Sequence, residues 1–307
     1  MRLIVEPDAG IVPILMAIKR ARKTVDVLVF RLDRAEVSDA LAAAVRRGVV
    51  VRALIAHTNS GGERSLRRLE MRLLEAGVSV SRTADDLVRY HGKLMIVDQR
   101  VLHVYGFNFT WLDTRRSRSF GIVTRNRKLV AEALKLFEAD SARQPYLPGC
   151  DRFVVSPENA RERLTAFVAG ARRQLLIYDP KITDPAFLRL LADRVRAGVE
   201  VRIIGKLGRG KTILTAEKCP GQRLHVRAMV RDGSRAFVGS QSLRSLELER
   251  RREVGLVIDD PSVTRGLQRM FEQDWALTPS GRERIDREHQ TDEPPAETRE
   301  PALAAQG

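Results

Sequence analysis

Arg89-Tyr-His91-Gly-Lys93-Leu-Met-Ile-Val-Asp98 occurs in this chain in two related copies. It has the form His-x-Lys-x4-Asp, and 134 residues later the chain returns to it as His225-Val-Arg227-Ala-Met-Val-Arg-Asp232. A histidine and a cation two apart on a strand project to one side, because strand side chains alternate with period two. Two copies in register describe a duplicated half-site. Working outward, an offset of 134 lays Gly239-Ser240-Gln-Ser242 on Tyr105-Gly-Phe-Asn108 and Arg252-Glu253-Val-Gly255 on Arg118-Ser119-Phe-Gly121. It also lays Phe271-Glu-Gln-Asp274 on Phe137-Glu-Ala-Asp140. Upstream the offset is 150, matching Ala197-Gly198-Val-Glu-Val-Arg202 to Arg47-Gly48-Val-Val-Val-Arg52. The first half therefore carries 16 extra residues before its motif. The helical spacing of apolar residues over Arg64–Ala76 predicts that this excess is a helix ending at Gly77.

Each half reads as alternating helices and strands. In the first, helix Ile11–Ala21 leads to strand Val25–Phe30, helix Glu36–Arg46 and strand Val49–Ile55. Strands over Ser79–Ser81, His91–Val97, Val101–Phe107 and Ser119–Thr124 follow, and helix Lys128–Ala139 closes the half. The second half begins with helix Glu158–Gly170, strand Leu175–Tyr178, helix Pro185–Arg196 and strand Val201–Ile204. It ends with strands Leu224–Val230, Ala236–Gly239 and Val254–Ile258 and helix Ser262–Gln273. This alternation around hairpin-like motif strands predicts an α/β fold in layers with mixed sheets. Two prolines and a glycine in Gln144-Pro-Tyr-Leu-Pro-Gly149 mark the join, so halves are expected at 1–143 and 151–276 with a linker at 144–150. The polar, Pro-rich composition near the end predicts a disordered acidic tail over 277–307.

Charge bounds the partners. The net charge is +15 over 307 residues, and the surplus lies upstream of the tail, where four Arg face seven Asp/Glu from Ser280 onward. A field of that sign attracts polyanions: nucleic acid, anionic lipid headgroups or a phosphodiester substrate. Cys150 and Cys219 lie 69 apart without metal-site spacing, which fits buried reduced thiols. The apolar run at the N-terminus is broken by Glu6, Asp8 and Pro13, so neither a signal peptide nor a spanning segment is expected. The expectation is a cytoplasmic protein, with peripheral contact to an anionic membrane left open.

The repeated residues suit one chemistry. Cleaving a phosphodiester needs a nucleophile, a proton donor for the leaving alkoxide, and positive or hydrogen-bonding groups around the phosphoryl oxygens. His91 and His225 can serve the first two needs near neutral pH. Lys93 and Arg227 supply charge, and Asn108 and Ser242 supply neutral donors, in place of the metal many phosphodiesterases use. No cofactor and no metal site is expected. Both motif copies lie in one chain, so the site should be complete in a monomer.

With the doubled motif and the GFNFT, GSQSL and RREVGL elements, the chain resembles the phospholipase D superfamily over roughly Leu3 to Trp275. That resemblance implies two similar α/β/α halves with the active site at their interface, and a phosphohistidine intermediate resolved by water or an alcohol. It also implies that the acidic residue 28 positions after one motif histidine orients the other half's histidine. Glu253 would then support His91, while His225 would face only Ser119. A carboxylate fixes the imidazole tautomer, so His91 is expected as nucleophile and His225 as general acid. Arg227 in place of lysine and Tyr105 in place of glycine are departures, the second expected to narrow the pocket.

The remaining polar residues receive plainer roles. Asp98 and Asp232 are expected to tie down the turns that follow them, and Ser240 to be structural. His57 is expected in the core, His103 at the surface and His289 in the tail, and the run Phe107, Phe109, Trp111, Leu112 in the core. Gly205-Lys206-Leu-Gly-Arg209-Gly210-Lys211-Thr212 matches a phosphate-loop pattern, but only a short segment precedes Pro220-Gly221 where a long helix is required. Lys206, Arg209 and Lys211 are instead expected to form a basic loop beside the cleft. Three activities follow: a metal-independent phosphodiesterase acting on phospholipid headgroups, a nuclease, and a catalytically degenerate phosphate-binding module. Low aromatic content (5%) counts against nucleic-acid stacking.

Overall fold

Two offsets, 150 and 134, relate the halves throughout the computed structural model, which describes residues 1–57, 63–210 and 212–284, without side chains at 63 and 64. The first half contains β1 (Arg2–Glu6), α1 (Val12–Arg20), β2 (Thr24–Val29), α2 (Ala35–Arg46), β3 (Val50–Ile55), α3 (Glu63–Glu75) and β4 (Ser79–Arg82). It continues through β5 (Arg89–Tyr90), β6 (Leu94–Val97), β7 (Val101–Tyr105), α4 (Trp111–Arg116), β8 (Ser117–Thr124) and α5 (Arg127–Ala142). The second half contains β9 (Phe153–Ser156), α6 (Ala160–Ala169), β10 (Gln174–Ile182), α7 (Pro185–Arg196) and β11 (Glu200–Leu207). It closes with β12 (Arg223–Leu224), β13 (Arg227–Arg231), β14 (Arg235–Gly239), α8 (Ser245–Glu249), β15 (Arg251–Ile258) and α9 (Pro261–Ala276).

Both sheets are mixed. The first runs β1-β8-β7-β6-β2-β3-β4, with β2, β3 and β4 parallel and the remaining pairs antiparallel. The second runs β11-β10-β13-β14-β15, with β9 also on β15. The extra residues of the first half add α3, as expected, together with β4 at the sheet edge. Helices α1, α2 and α3 cover the outer face of the first sheet, and α6 and α7 that of the second. A shared core fills the space between the sheets, where Leu94, Ile96 and Val104 of one meet Ala228, Val238 and Val254 of the other around α5 and α9. Burial of that apolar layer, at roughly 25 cal/mol per Å², is what makes the halves one body.

The two halves also exchange strands. Short β5 leaves its own half and pairs in parallel with β15 (Arg89 opposite Arg251), while β12 pairs in parallel with β8 (Arg223 opposite Ser117). Two buried ion pairs cross beside these exchanges: Arg118 holds Asp274 through two bonds of 2.9 and 3.0 Å, and Arg252 lies 3.1 Å from Asp140. Each pair is the other displaced by 134 residues.

Several expectations are corrected here. Strands were expected to contain His91–Lys93 and the segment from Leu224; instead 91–93 and 225–226 are irregular, because the chain breaks its pairing as it passes between sheets. Residues 277–284 are ordered, with 279–284 helical and Thr278 capping that turn through Gly281 N (3.1 Å); the rest of the expected tail, including His289, lies outside the described residues. His103, expected at the surface, is buried, and His57, expected in the core, is half-buried. Both cysteines are free and half-buried. Among the described residues no helix is long and apolar enough to cross a membrane.

Candidate active site

The strand exchange builds the site. His91 follows β5, and its backbone N–H donates to Arg252 O in the opposite half at 2.7 Å; two residues on, Lys93 O accepts from Tyr105 N of its own half at 3.0 Å. His225 does the same in reverse, donating to Arg118 O at 3.2 Å. Each histidine therefore sits at the point where the chain steps between sheets, and the two motifs converge at the seam.

Around His91 the polar contacts are short. Nδ1 lies 2.8 Å from Glu253 Oε2, a carboxylate that is itself fully buried. A carboxylate only accepts, so the Nδ1 proton belongs to this contact and Nε2 carries the lone pair. Lys93 Nζ donates to His91 O at 2.5 Å and lies 3.1 Å from Nδ1. Phe30 forms a wall, its ring edge-on to His91 at 4.5 Å and under the Lys93 ammonium at 5.5 Å. Burial, then the Lys93 and Arg227 charges, hold His91 well below the usual histidine range. Burial also lowers Lys93 to about 7, and it raises Glu253.

His225 has a different setting. Its Nδ1 lies 3.4 Å from Asp113 Oδ2, while Ser119 Oγ donates not to the ring but to His225 O at 2.8 Å. Asp113 is the carboxylate that sequence reasoning missed; the expectation that His225 faces only Ser119 is corrected. It projects from α4, a six-residue helix capped by Thr110, and also accepts from Arg223 at 2.7 Å. The signal was in the repeat, because Glu247 stands 134 residues later in α8. Burial, followed by the Arg227 charge, pulls His225 well below its ordinary value, and Asp113 acts in the opposite sense.

The candidate phosphate ligands divide. Arg227 Nε donates to Ser242 Oγ at 3.1 Å, leaving Nη1 buried without a protein partner. Asn108 spends its amide N–H on Asp113 at 2.8 Å and leaves Oδ1 unpartnered. Ser240 bridges β14 and β15 through Val254 N at 3.1 Å. Asp98 sits at positive φ and accepts backbone N–H groups of Arg22, Lys23 and Thr24, and Asp232 repeats this with Arg172, Arg173 and Gln174. They tie the loops entering β2 and β10 rather than their own turns. Lys206 is exposed near the end of β11 and Arg209 is exposed just beyond it, two strands from Arg227 and without a hydrogen bond or ion pair to the motifs; Lys211 lies outside the described residues.

Two further expectations change. Tyr105 does not narrow the pocket, since it is fully buried on the outer side of the first sheet against Phe107 and Phe109. Of the aromatic run, Phe107 and Phe109 are core, but Trp111 and Leu112 are 51% and 44% exposed on α4. Among the described residues 212–222 no helix opens behind the phosphate-loop pattern, and no cluster of three or more His, Cys, Asp or Glu able to hold a metal occurs among the described residues.

This arrangement has known counterparts. The family model for the cardiolipin synthase PLD-like domain matches residues 14–141 and 164–275. Among solved structures, the polyphosphate kinase of Porphyromonas gingivalis superposes with a TM-score of 0.73 at 18% identity, over 88% of this chain and 46% of that one. This chain thus spans about half the length of that kinase. Phosphatidylserine synthase of Haemophilus influenzae Rd KW20 gives 0.68 at 11% identity, over 89% of this chain and 84% of the other. No curated protein sequence matches. Two family matches, one on each half and together covering most of the 307 residues, place the chain in the phospholipase D superfamily.

Proposed function

We propose that this protein is a phosphodiesterase of phospholipase D type that acts on phospholipid headgroups, passing the phosphatidyl group to water or an alcohol. The carrying observation is the convergence of His91, Lys93, His225 and Arg227 on one seam, with Glu253 2.8 Å from His91 Nδ1. In this reading His91 Nε2 attacks phosphorus, the P–O bond to the headgroup breaks, and His225 gives its proton to the departing alkoxide. His225 then takes a proton from water or an alcohol, whose oxygen attacks phosphorus and breaks the P–N bond. Glu253 accepts from Nδ1 and stabilises the charge that develops on His91. Lys93 and the unpartnered Nη1 of Arg227 face the phosphoryl oxygens as charge-assisted donors. A bound phosphodiester anion also offsets the Arg227, Lys93 and Arg223 charges that, after burial, depress His225, which favours protonation of the general acid once substrate is in place.

The lipid preference rests on α4. Trp111 and Leu112 are exposed on the helix whose Asp113 reaches His225, and the Arg116 guanidinium lies 5.7 Å from the Trp111 ring centre. An exposed indole and leucine beside arginine suit an anionic lipid interface, where one face is apolar and the other wet. The test is release of headgroup from mixed phospholipid vesicles containing EDTA, alongside cleavage of single-stranded DNA. Headgroup release that falls about tenfold in Trp111→Ser/Leu112→Ser, with hydrolysis of a soluble phosphodiester unchanged, is the expected result. DNA cleavage without lipid turnover would replace this reading with a nuclease, and binding without either turnover with a degenerate module.

A further inference from the structure

At the far end of β6 from Lys93, an open groove of about 700 Å³ runs between α1 and the outer surface of β6, β7 and β8. Its walls are apolar: Val12, Pro13, Met16, Ala17, Val97, Val101 and Val123 line it. Val12 and Met16 remain 60% and 38% exposed, so this surface is presented rather than packed. Arg2, Arg20 and Arg125 also line the groove, and none of their guanidinium groups forms a salt bridge or hydrogen bond among the described residues. The lining carboxylate, Asp98, is occupied with the backbone N–H groups of Arg22, Lys23 and Thr24. His103 is 97% buried (3% exposed) in the same wall, with Nδ1 lacking any partner.

The duplication supplies the control. At the corresponding place in the second half, Phe167, Arg231 and Phe237 stand where the first half has Ala17, Val97 and His103. There the Arg231 guanidinium covers the Phe167 ring at 5.2 Å and donates to Phe167 O at 3.0 Å, so the space is filled. Glu162, Arg163 and Arg235 replace Val12, Pro13 and Val101, turning the rim charged. One copy is plugged beneath a charged rim; the other has smaller residues inside and apolar residues at these rim positions. A mere packing defect would not also convert the rim to apolar residues, because exposed apolar surface gains nothing from water.

We propose that this groove is a second binding site, taking a single-chain anionic amphiphile such as a long-chain carboxylate. Its volume lies within the roughly 300–1,000 Å³ of small-molecule sites. The apolar walls bury the chain, and the three arginines meet the anionic head. The His103 imidazole offers one buried hydrogen bond; burial and the neighbouring Arg2 charge lower it to about 4, so it is neutral at pH 7. The site lies at the opposite end of β6 from His91 and Lys93, so its occupancy is separable from the chemistry.

Fluorescence titration of the full chain with dansyl-labelled undecanoic acid tests this. Saturable binding is expected, with the neutral methyl ester about tenfold weaker because it forfeits the arginine contacts. Ala17→Phe, which restores the plug of the second half, should weaken binding at least about tenfold while leaving hydrolysis of bis-para-nitrophenyl phosphate intact. Met16→Glu serves the same purpose from an exposed position if the phenylalanine perturbs folding, as judged by thermal melts. Unchanged affinity in a folded variant, equal affinity for the ester, or displacement of the probe by inorganic phosphate at the motif site would overturn the proposal.

Discussion

The two halves share one backbone and differ most where each reaches the other's histidine. Across the seam, the second half presents Glu253 to His91 Nδ1 at 2.8 Å. The first half presents Ser119 at the same register, and its hydroxyl binds the His225 backbone instead. His225 turns to Asp113 at 3.4 Å, a carboxylate shared with Asn108 and Arg223. Phe30 walls one motif where Pro180 stands in the other half, and a lysine pushed to about 7 faces an arginine. A duplicated frame thus holds two histidines in two electrostatic settings. Such separation is what allows one group to attack while the other moves protons.

The largest effect expected from breaking this asymmetry is at Glu253. Glu253→Gln should cut kcat for a soluble phosphodiester by about 10³-fold or more, since the amide cannot compensate the charge forming on His91. Asp113→Asn should cost less, about 10- to 100-fold, because its contact is longer and divided among three partners. Kinetics of both variants measure the gap, and equal losses would erase the distinction.

A smaller effect should appear in pH profiles. Lys93 loses its proton near 7, whereas arginine as a residue type keeps its charge across this range. In the wild type kcat/KM should fall more steeply above pH about 7 than in Lys93→Arg, which removes the titrating cation. Superimposable alkaline limbs would show that Lys93 does not titrate there.

The smallest effect concerns stability, where Glu6 stands in the first half and Ser156 in the second. Glu6 is buried beside Gly10 N with Oε1 unpartnered, and burial pushes its carboxyl from 4.5 to about 8. Between those values the folded state holds a proton the unfolded state has released, so stability falls as pH rises and the cost is full above about 8. Glu6→Gln should therefore raise Tm by a few degrees at pH about 9 and scarcely at pH about 5. A pH-independent difference in thermal melts would contradict that origin.

Much of this was legible in the repeat. Offsets of 134 and 150 predicted the duplicated halves and the added helix, and helix–strand alternation predicted the mixed sheets, while the pairing of Glu253 with His91 was implied by the resemblance to the phospholipase D superfamily. What escaped were features with too few residues to carry a periodic signal. Strands β5 and β12 are two residues each and exist only because the other half's sheet offers an edge. Without them, His91 and His225 looked like strand residues rather than crossing points. Asp113 was hidden in a six-residue helix, and its role depends on a contact 112 positions away that no local pattern encodes. Tyr105 was misplaced for the simplest reason: period two gives the face but not which face is the pocket.

The proposed mechanism turns on the division of labour between the histidines. It is tested most directly by quenching the enzyme during turnover of a phosphate-labelled para-nitrophenyl phosphodiester, whose leaving group needs no general acid to depart. Acid-labile label is expected on the protein, persisting in His225→Asn and absent in His91→Asn. Label that persists in His91→Asn and vanishes in His225→Asn would contradict that division.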